Sequence, residues 1–114
     1  MSKLLGAVSH HAAEVAELAS DRALAVAYLK AAMQSLDDPQ ERAGGLLALR
    51  TVAEAYGGLG VVAQEAGISR ETLYRTLSAK GNPTLKTLLA VLKTVGMRLS
   101  VEAEQHAPAY RAAC

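Results

Sequence analysis

Apolar residues recur along most of this 114-residue chain at the three- and four-residue intervals of an α-helix. Residues 12–19 (Ala-Ala-Glu-Val-Ala-Glu-Leu-Ala) predict a short first helix, and Ser20-Asp21 supplies an N-cap for a second. In that second helix Ala25, Leu29, Ala32 and Leu36 form a buried stripe. Asp37-Asp38-Pro39 ends it and opens the next. Asp38 as cap, Pro39 at the first helical position and Glu41 three residues after the cap predict a capping box. The third helix carries Leu46, Leu49, Ala53 and Tyr56 on one face. Gly44-Gly45 lies near its start, where glycine weakens a helix, and Gly57-Gly58 stops it.

From Leu59 onward the elements become short. Residues 59–66 predict a brief helix, Gly67-Ile68-Ser69 a turn, and Arg70 to Ala79 a second brief helix capped by Ser69. Lys80-Gly81-Asn82-Pro83 breaks the chain, and Thr84 caps a last helix with Leu85, Leu88, Leu89, Leu92 and Val95 on its apolar face. Gly96 closes it. The period then changes to two: Met97, Leu99, Val101 and Ala103 alternate with Arg98, Ser100, Glu102 and Glu104, as in a half-buried β-strand. No second strand is present to satisfy its backbone groups. Two readings stay open, pairing with the same strand of a second subunit through Met97, Leu99 and Val101, or an extended tail packed on its own helices. The expected organisation is a short helical or loose N-terminus over 1–20, one helical domain over 21–104, and a loose tail over 105–114.

Composition sharpens the class. Alanine supplies 23 residues, Phe and Trp are absent, and the aromatics are four tyrosines, which favours an all-α fold over a β one. No apolar run approaches the roughly 20 residues that span a bilayer, and the first residues lack a signal-peptide core. The one cysteine, Cys114, cannot staple a fold, and a cytoplasmic location is expected. The net charge of +1 is an average: residues 57–98 hold six basic and two acidic side chains, whereas residues 1–56 hold five and seven. A basic segment joined to an acidic one suits a polyanion on one side and a different partner on the other.

The candidate chemistry lies in residues 59–79, two short helices about a glycine turn, the helix-turn-helix pattern. Ala63 is small where one helix passes under the other, Gly67 fits a left-handed turn, Ile68 plugs the turn and Leu73 packs the second helix on the first. The second helix then offers Ser69, Arg70, Glu71, Thr72 and Arg75 to a DNA major groove. Arginine suits bidentate contact with guanine or a phosphate clamp, and Glu71 suits a cytosine amino group. Gln64 on the first helix, and Lys80, Asn82 and Thr84 before the last, are candidate backbone contacts. Glu71 and Arg75, four apart, fit equally an ion pair on a solvated face, and Tyr74 fits either a groove edge or the core.

Residues Leu59 to Val95 resemble the lambda-repressor-like (Xre-type) helix-turn-helix domain. More narrowly, Gly67-Ile68-Ser69-Arg70-Glu71-Thr72-Leu73-Tyr74-Arg75, Leu77-Ser78 and Gly81-Asn82-Pro83-Thr84-Leu85 are similar to the addiction-module antidotes, the HigA-like antitoxins. Ala27-Tyr28-Leu29 and residues 46–58 also suit that family, so the resemblance covers residues 20–101. Thr76 departs from it, standing where many such domains bury an aliphatic residue, and Leu77 is expected to take over that packing. The resemblance implies a lambda-repressor-like helical bundle, to which the periodicity adds extra N-terminal helices and one C-terminal strand, within an all-α class. It also implies a homodimer on a palindromic double-stranded DNA operator in its own promoter, and a RelE/ParE-like toxin as protein partner. A stand-alone prophage-type regulator and a module that mainly holds a protein through its acidic N-terminal helices are the alternatives.

Other constellations are weaker. Gly58-Leu59-Gly60-Val61-Val62-Ala63 has the spacing of a dinucleotide fingerprint, but that loop must follow a strand. His10, His11, Glu14 and Glu17 share a helical face and suit either a metal or solvent. His106 and Cys114 lack a base or orienting partner nearby, and no catalytic constellation, metal site or cofactor is expected.

Overall fold

In the computed structural model, which describes residues 2–104, the described chain folds into six helices: α1 (Ser2–Ser20), α2 (Arg22–Ser35), α3 (Arg42–Ala55), α4 (Leu59–Ala66), α5 (Arg70–Thr76) and α6 (Leu85–Val95). Among the described residues no single helix is long and apolar enough to cross a membrane. α1 begins ten residues before the expected start, within a run free of proline. α2 starts where its cap predicts, with the Asp21 carboxylate accepting from the Leu24 amide at 3.0 Å. Ala25, Leu29 and Ala32 of its stripe are buried and Leu36 is half-buried.

α3 is the hub, touching α1, α2, α4 and α6. Its start differs from expectation. Asp38 accepts from the Gln40 amide at 2.9 Å in a local turn, Glu41 is the N-cap without a side-chain bond, and no capping box forms. The Arg42 side chain instead reaches back to the Leu36 carbonyl at 2.8 Å, closing the loop. Gly44 and Gly45 have separate explanations. A Cβ on Gly44 meets nothing within 4 Å, whereas one on Gly45 would lie 2.7 Å from the Ala32 carbonyl oxygen, so Gly45 lets α3 sit directly on the α2 backbone. Leu46, Leu49 and Ala53 are buried as the pattern predicts. Tyr56 is half-buried and donates to the Leu18 carbonyl at 2.8 Å, tying α1 to the end of α3.

Three further differences have local causes. α5 stops at Thr76 rather than Ala79, because the Ser78 hydroxyl donates to the Tyr74 carbonyl at 2.6 Å and a Cβ on Gly81 would overlap the Thr76 carbonyl oxygen. Leu77 is fully buried there and supplies the packing expected of it. α6 is rotated from the expected face: Thr87, Ala90, Val91, Leu92 and Val95 are buried, Leu88 is half-buried, and Leu85 and Leu89 are exposed. Thr87 tolerates burial because its amide donates to the Thr84 hydroxyl at 3.2 Å and its own hydroxyl lies 3.1 Å from that oxygen. The small Ala90 is buried one turn further on, and α4 is the principal partner of α6.

The strand expected over Met97, Leu99, Val101 and Ala103 does not form in the single chain. Residues 97–104 are irregular, and among the described residues no backbone group of 98–104 finds a partner within the chain. A strand needs a ladder, and α6 offers none. Met97 alone packs against the core, Leu99 is 43% exposed and Val101 97%, so the packed-tail reading fails beyond Met97. The tail expected over 105–114, with His106 and Cys114, lies outside the described residues.

Candidate nucleic-acid interface

Ala63 is buried where α4 meets its neighbours, and the turn that follows is closed twice. The Ile68 amide donates to the Ala63 carbonyl at 3.0 Å, and Gly67 donates to Gln64 from a left-handed φ of 74°. That pair of bonds reverses the chain within three residues and satisfies the carbonyls at the end of α4. Ser69 starts α5, accepting from the Thr72 amide at 3.0 Å and donating to the Thr72 hydroxyl at 2.8 Å. Leu73 is fully buried and anchors the helix. With one side fixed inward, Arg70, Glu71, Tyr74 and Arg75 project together on the other, all exposed.

These four side chains form one wall of an open cleft of about 770 Å³, whose opposite wall is Glu54, Gly58 and Leu59 from the end of α3 and the start of α4. Among the described residues, the side-chain contacts between basic and acidic groups are Lys93–Glu65 at 2.7 Å and the hydrogen bond between His11 Nε2 and Glu54 Oε2 at 2.9 Å. Glu71 and Arg75 therefore do not neutralise each other, and both charges face the cleft. The Glu65 contact also raises the Lys93 pKa, so Lys93 keeps its charge but shares it.

The structure adds two residues that the sequence left out. The Arg50 guanidinium, carried by α3, lies 4.2 Å from the centroid of the Tyr74 ring and donates to the Ser78 hydroxyl at 3.2 Å. Tyr74 is thus neither core nor free: it is half-exposed, with one ring face covered by a cation. Glu54 is the second, an acidic group on the cleft wall held by His11. No local signal joins positions 50 and 74, because the pairing is made in the tertiary fold, where the Arg50 side chain reaches from α3 to α5.

The remaining candidates are dispersed. Gln64 is exposed on α4, and Lys80, Asn82 and Thr84 are exposed before α6, but none lines the cleft. Ser69 and Thr72 hold each other at the cap, and the Thr84 hydroxyl caps α6. Lys86 leans over the turn, with its ammonium 3.3 Å from where a Cβ on Gly67 would stand. Two residues of the histidine–glutamate face have protein partners: besides the His11–Glu54 contact, Glu14 accepts from the Tyr28 hydroxyl at 3.3 Å, while His10 and Glu17 are exposed. Burial first and the Glu14 charge second raise the Tyr28 pKa above 10.0. The dinucleotide-like spacing follows helix α3 and opens the eight-residue α4, with no strand before it.

Fold and site together define a small helical protein that presents a short, cation-bearing helix at the rim of an open cleft. The chain belongs to the family described as probable addiction module antidote protein, whose model matches residues 7–103. It is also 40% identical over 62 residues to an uncharacterized protein of Haemophilus influenzae, a match covering 54% of this chain and 63% of that relative. No solved structure matches it significantly.

Proposed function

We propose that this protein is a DNA-binding antitoxin: a HigA-like, Xre-type helix-turn-helix repressor of its own operon that also neutralises a RelE/ParE-like toxin. Family membership supports the antidote role. The observation that carries the DNA reading is the cap-and-turn frame that buries Leu73 while leaving Arg70 and Arg75 exposed on one side of α5 and, among the described residues, without an acidic partner. On this reading α5 enters the major groove, Arg70 and Arg75 contact guanine edges or phosphates, and Glu71 selects cytosine. Ser69, Thr72, Gln64, Lys80, Asn82 and Thr84 stand at the phosphate backbone. Two copies meeting through Met97, Leu99 and Val101 place two such helices on the half-sites of a palindromic operator. The toxin, a basic protein, is held by the acidic α1–α3 half, whose Glu17, Asp37, Asp38 and Glu41 are exposed.

The test is a gel-shift titration of the full chain on the DNA upstream of its own gene. Arg75→Ala is expected to weaken specific binding by about 1–3 kcal/mol, roughly five- to 150-fold. Equal affinity of variant and parent removes Arg75 from the interface. Copurification with the co-expressed protein encoded beside this gene tests the second half, and a protein that binds its operator but captures no partner is the stand-alone regulator.

A further inference from the structure

In residues 97–103 apolar residues stand on alternate positions with charges of both signs between them, and beyond the Met97 amide, which donates to the Leu92 carbonyl at 2.8 Å, the backbone finds no partner among the described residues. The segment borders a groove of about 770 Å³ against α2, lined by Val26, Met33 and Leu92, by the polar Lys30 and Gln34, and by the segment's own apolar and charged residues. An unpaired edge beside a partly apolar groove invites another strand. The sequence of the segment identifies which one.

Two antiparallel copies of one segment pair residues whose numbers have a constant sum. That sum must be even, or the apolar stripe of one copy lies on the sheet face opposite that of the other. Centred on Leu99, the pairing runs Ala103 into Val95, which is buried in α6. Centred on Val101, it sets Met97 against the polar Gln105 and Glu102 against Ser100. Centred on Ser100, every apolar residue meets an apolar one, Leu99 opposite Val101 and Met97 opposite Ala103. In the same register Arg98 of each copy meets Glu102 of the other, giving two opposite-charge pairs related by the two-fold axis.

We propose that two copies of this chain join through residues 97–103 as antiparallel strands in the register centred on Ser100, locked by reciprocal Arg98–Glu102 pairs. The inference rests on the dimer within the function proposed above and gives that dimer its register. Arg98, Ser100 and Glu102 are exposed in the single chain, so substitutions there leave its fold intact.

The experiment is sedimentation of the full chain across a concentration series at low salt, with native mass spectrometry of mixtures. Arg98→Glu and Glu102→Arg each place like charges opposite one another twice per dimer and are expected to weaken dimerisation by about tenfold. The double variant R98E/E102R restores it. Mixing the two single variants also restores it, as heterodimers, because in the mixed pair each glutamate again faces an arginine. Glu104→Arg leaves the constant little changed. A parent chain that stays monomeric to high concentration overturns the dimer itself. A dimer indifferent to both swaps, or one that responds to Glu104→Arg instead of Glu102→Arg, retains the dimer and overturns this register.

Discussion

Substituting alanine at Gly44 and at Gly45 is expected to move stability in opposite directions, although the two are neighbours in one helix. Alanine gains about 1 kcal/mol over glycine in a helix interior, and part of that gain acts through the unfolded chain, where the two substitutions are equivalent. At Gly44 nothing opposes the gain, since the space within 4 Å of the added carbon is empty. At Gly45 the same carbon would stand 2.7 Å from the Ala32 carbonyl oxygen, 3.0 Å from Ser35 Cβ and 3.2 Å from Leu36 Cδ2. The first of these is backbone of α2, and the Arg42 bond to Leu36 restrains the loop that would otherwise give way. Overpacking of this kind costs about 1–3 kcal/mol. Gly44→Ala should therefore stabilise by about 0.5–1 kcal/mol, and Gly45→Ala should lose about 1–2 kcal/mol net. Urea unfolding followed by far-ultraviolet circular dichroism reads both as shifts of midpoint at constant slope. The difference between the two variants isolates the steric cost. Coincident midpoints, or a Gly45→Ala midpoint above the parent's, would refute the close approach of α2 and α3. The matter bears on the cleft, because α3 carries Arg50 and Glu54 to it.

Other expectations are more local. Gly81→Ala should cost at least about 2 kcal/mol in the same unfolding assay, since the added carbon overlaps the Thr76 carbonyl oxygen; a parent-like midpoint contradicts the tight exit from α5. A double-mutant cycle of Arg50→Ala and Tyr74→Ala should give a coupling of about 0.5–1 kcal/mol in stability, whereas additive losses deny the stacked pair. Because folding raises the Tyr28 pKa, its contribution is fully present below pH 10 and is lost as the pH rises through the raised value. Tyr28→Phe should flatten that alkaline loss of stability relative to the parent, and an unchanged alkaline slope would assign the loss elsewhere.

Helices bounded by a polar cap or a positive-φ glycine were legible from sequence. Asp21, Ser69 and Thr84 each make the side-chain bond their positions predict, and Gly67 and Gly96 each end a helix in the left-handed region. Such signals act within four residues, so no tertiary knowledge is needed to read them. The start of α3 was misread because Asp38 had two local options, a cap or a turn, and the Arg42 contact to Leu36 favours the turn. The face of α6 was misread for a different reason. Five leucine and valine positions fit a helical stripe, but the fold buries the small Thr87 and Ala90 and turns Leu85 and Leu89 outward. Size complementarity between two helices is absent from the periodicity of either.

The same distinction separates the legible part of the candidate site from the rest. Arg70, Glu71 and Arg75 share a face with Tyr74 because helix geometry within one turn places them there. Arg50 and Glu54 join them from a helix that precedes by some twenty residues, and both come from the segment that counts as acidic overall. The division of charge into a basic half and an acidic half therefore does not coincide with two surfaces. An acidic side chain held by His11 of α1 stands opposite the two arginines, so any DNA backbone approaching α5 meets the charge of Glu54 as well. Because Glu54 is tied to α1 and α1 is tied to α2 through the Tyr28–Glu14 bond, the first three helices set the electrostatics of the cleft and do more than support it.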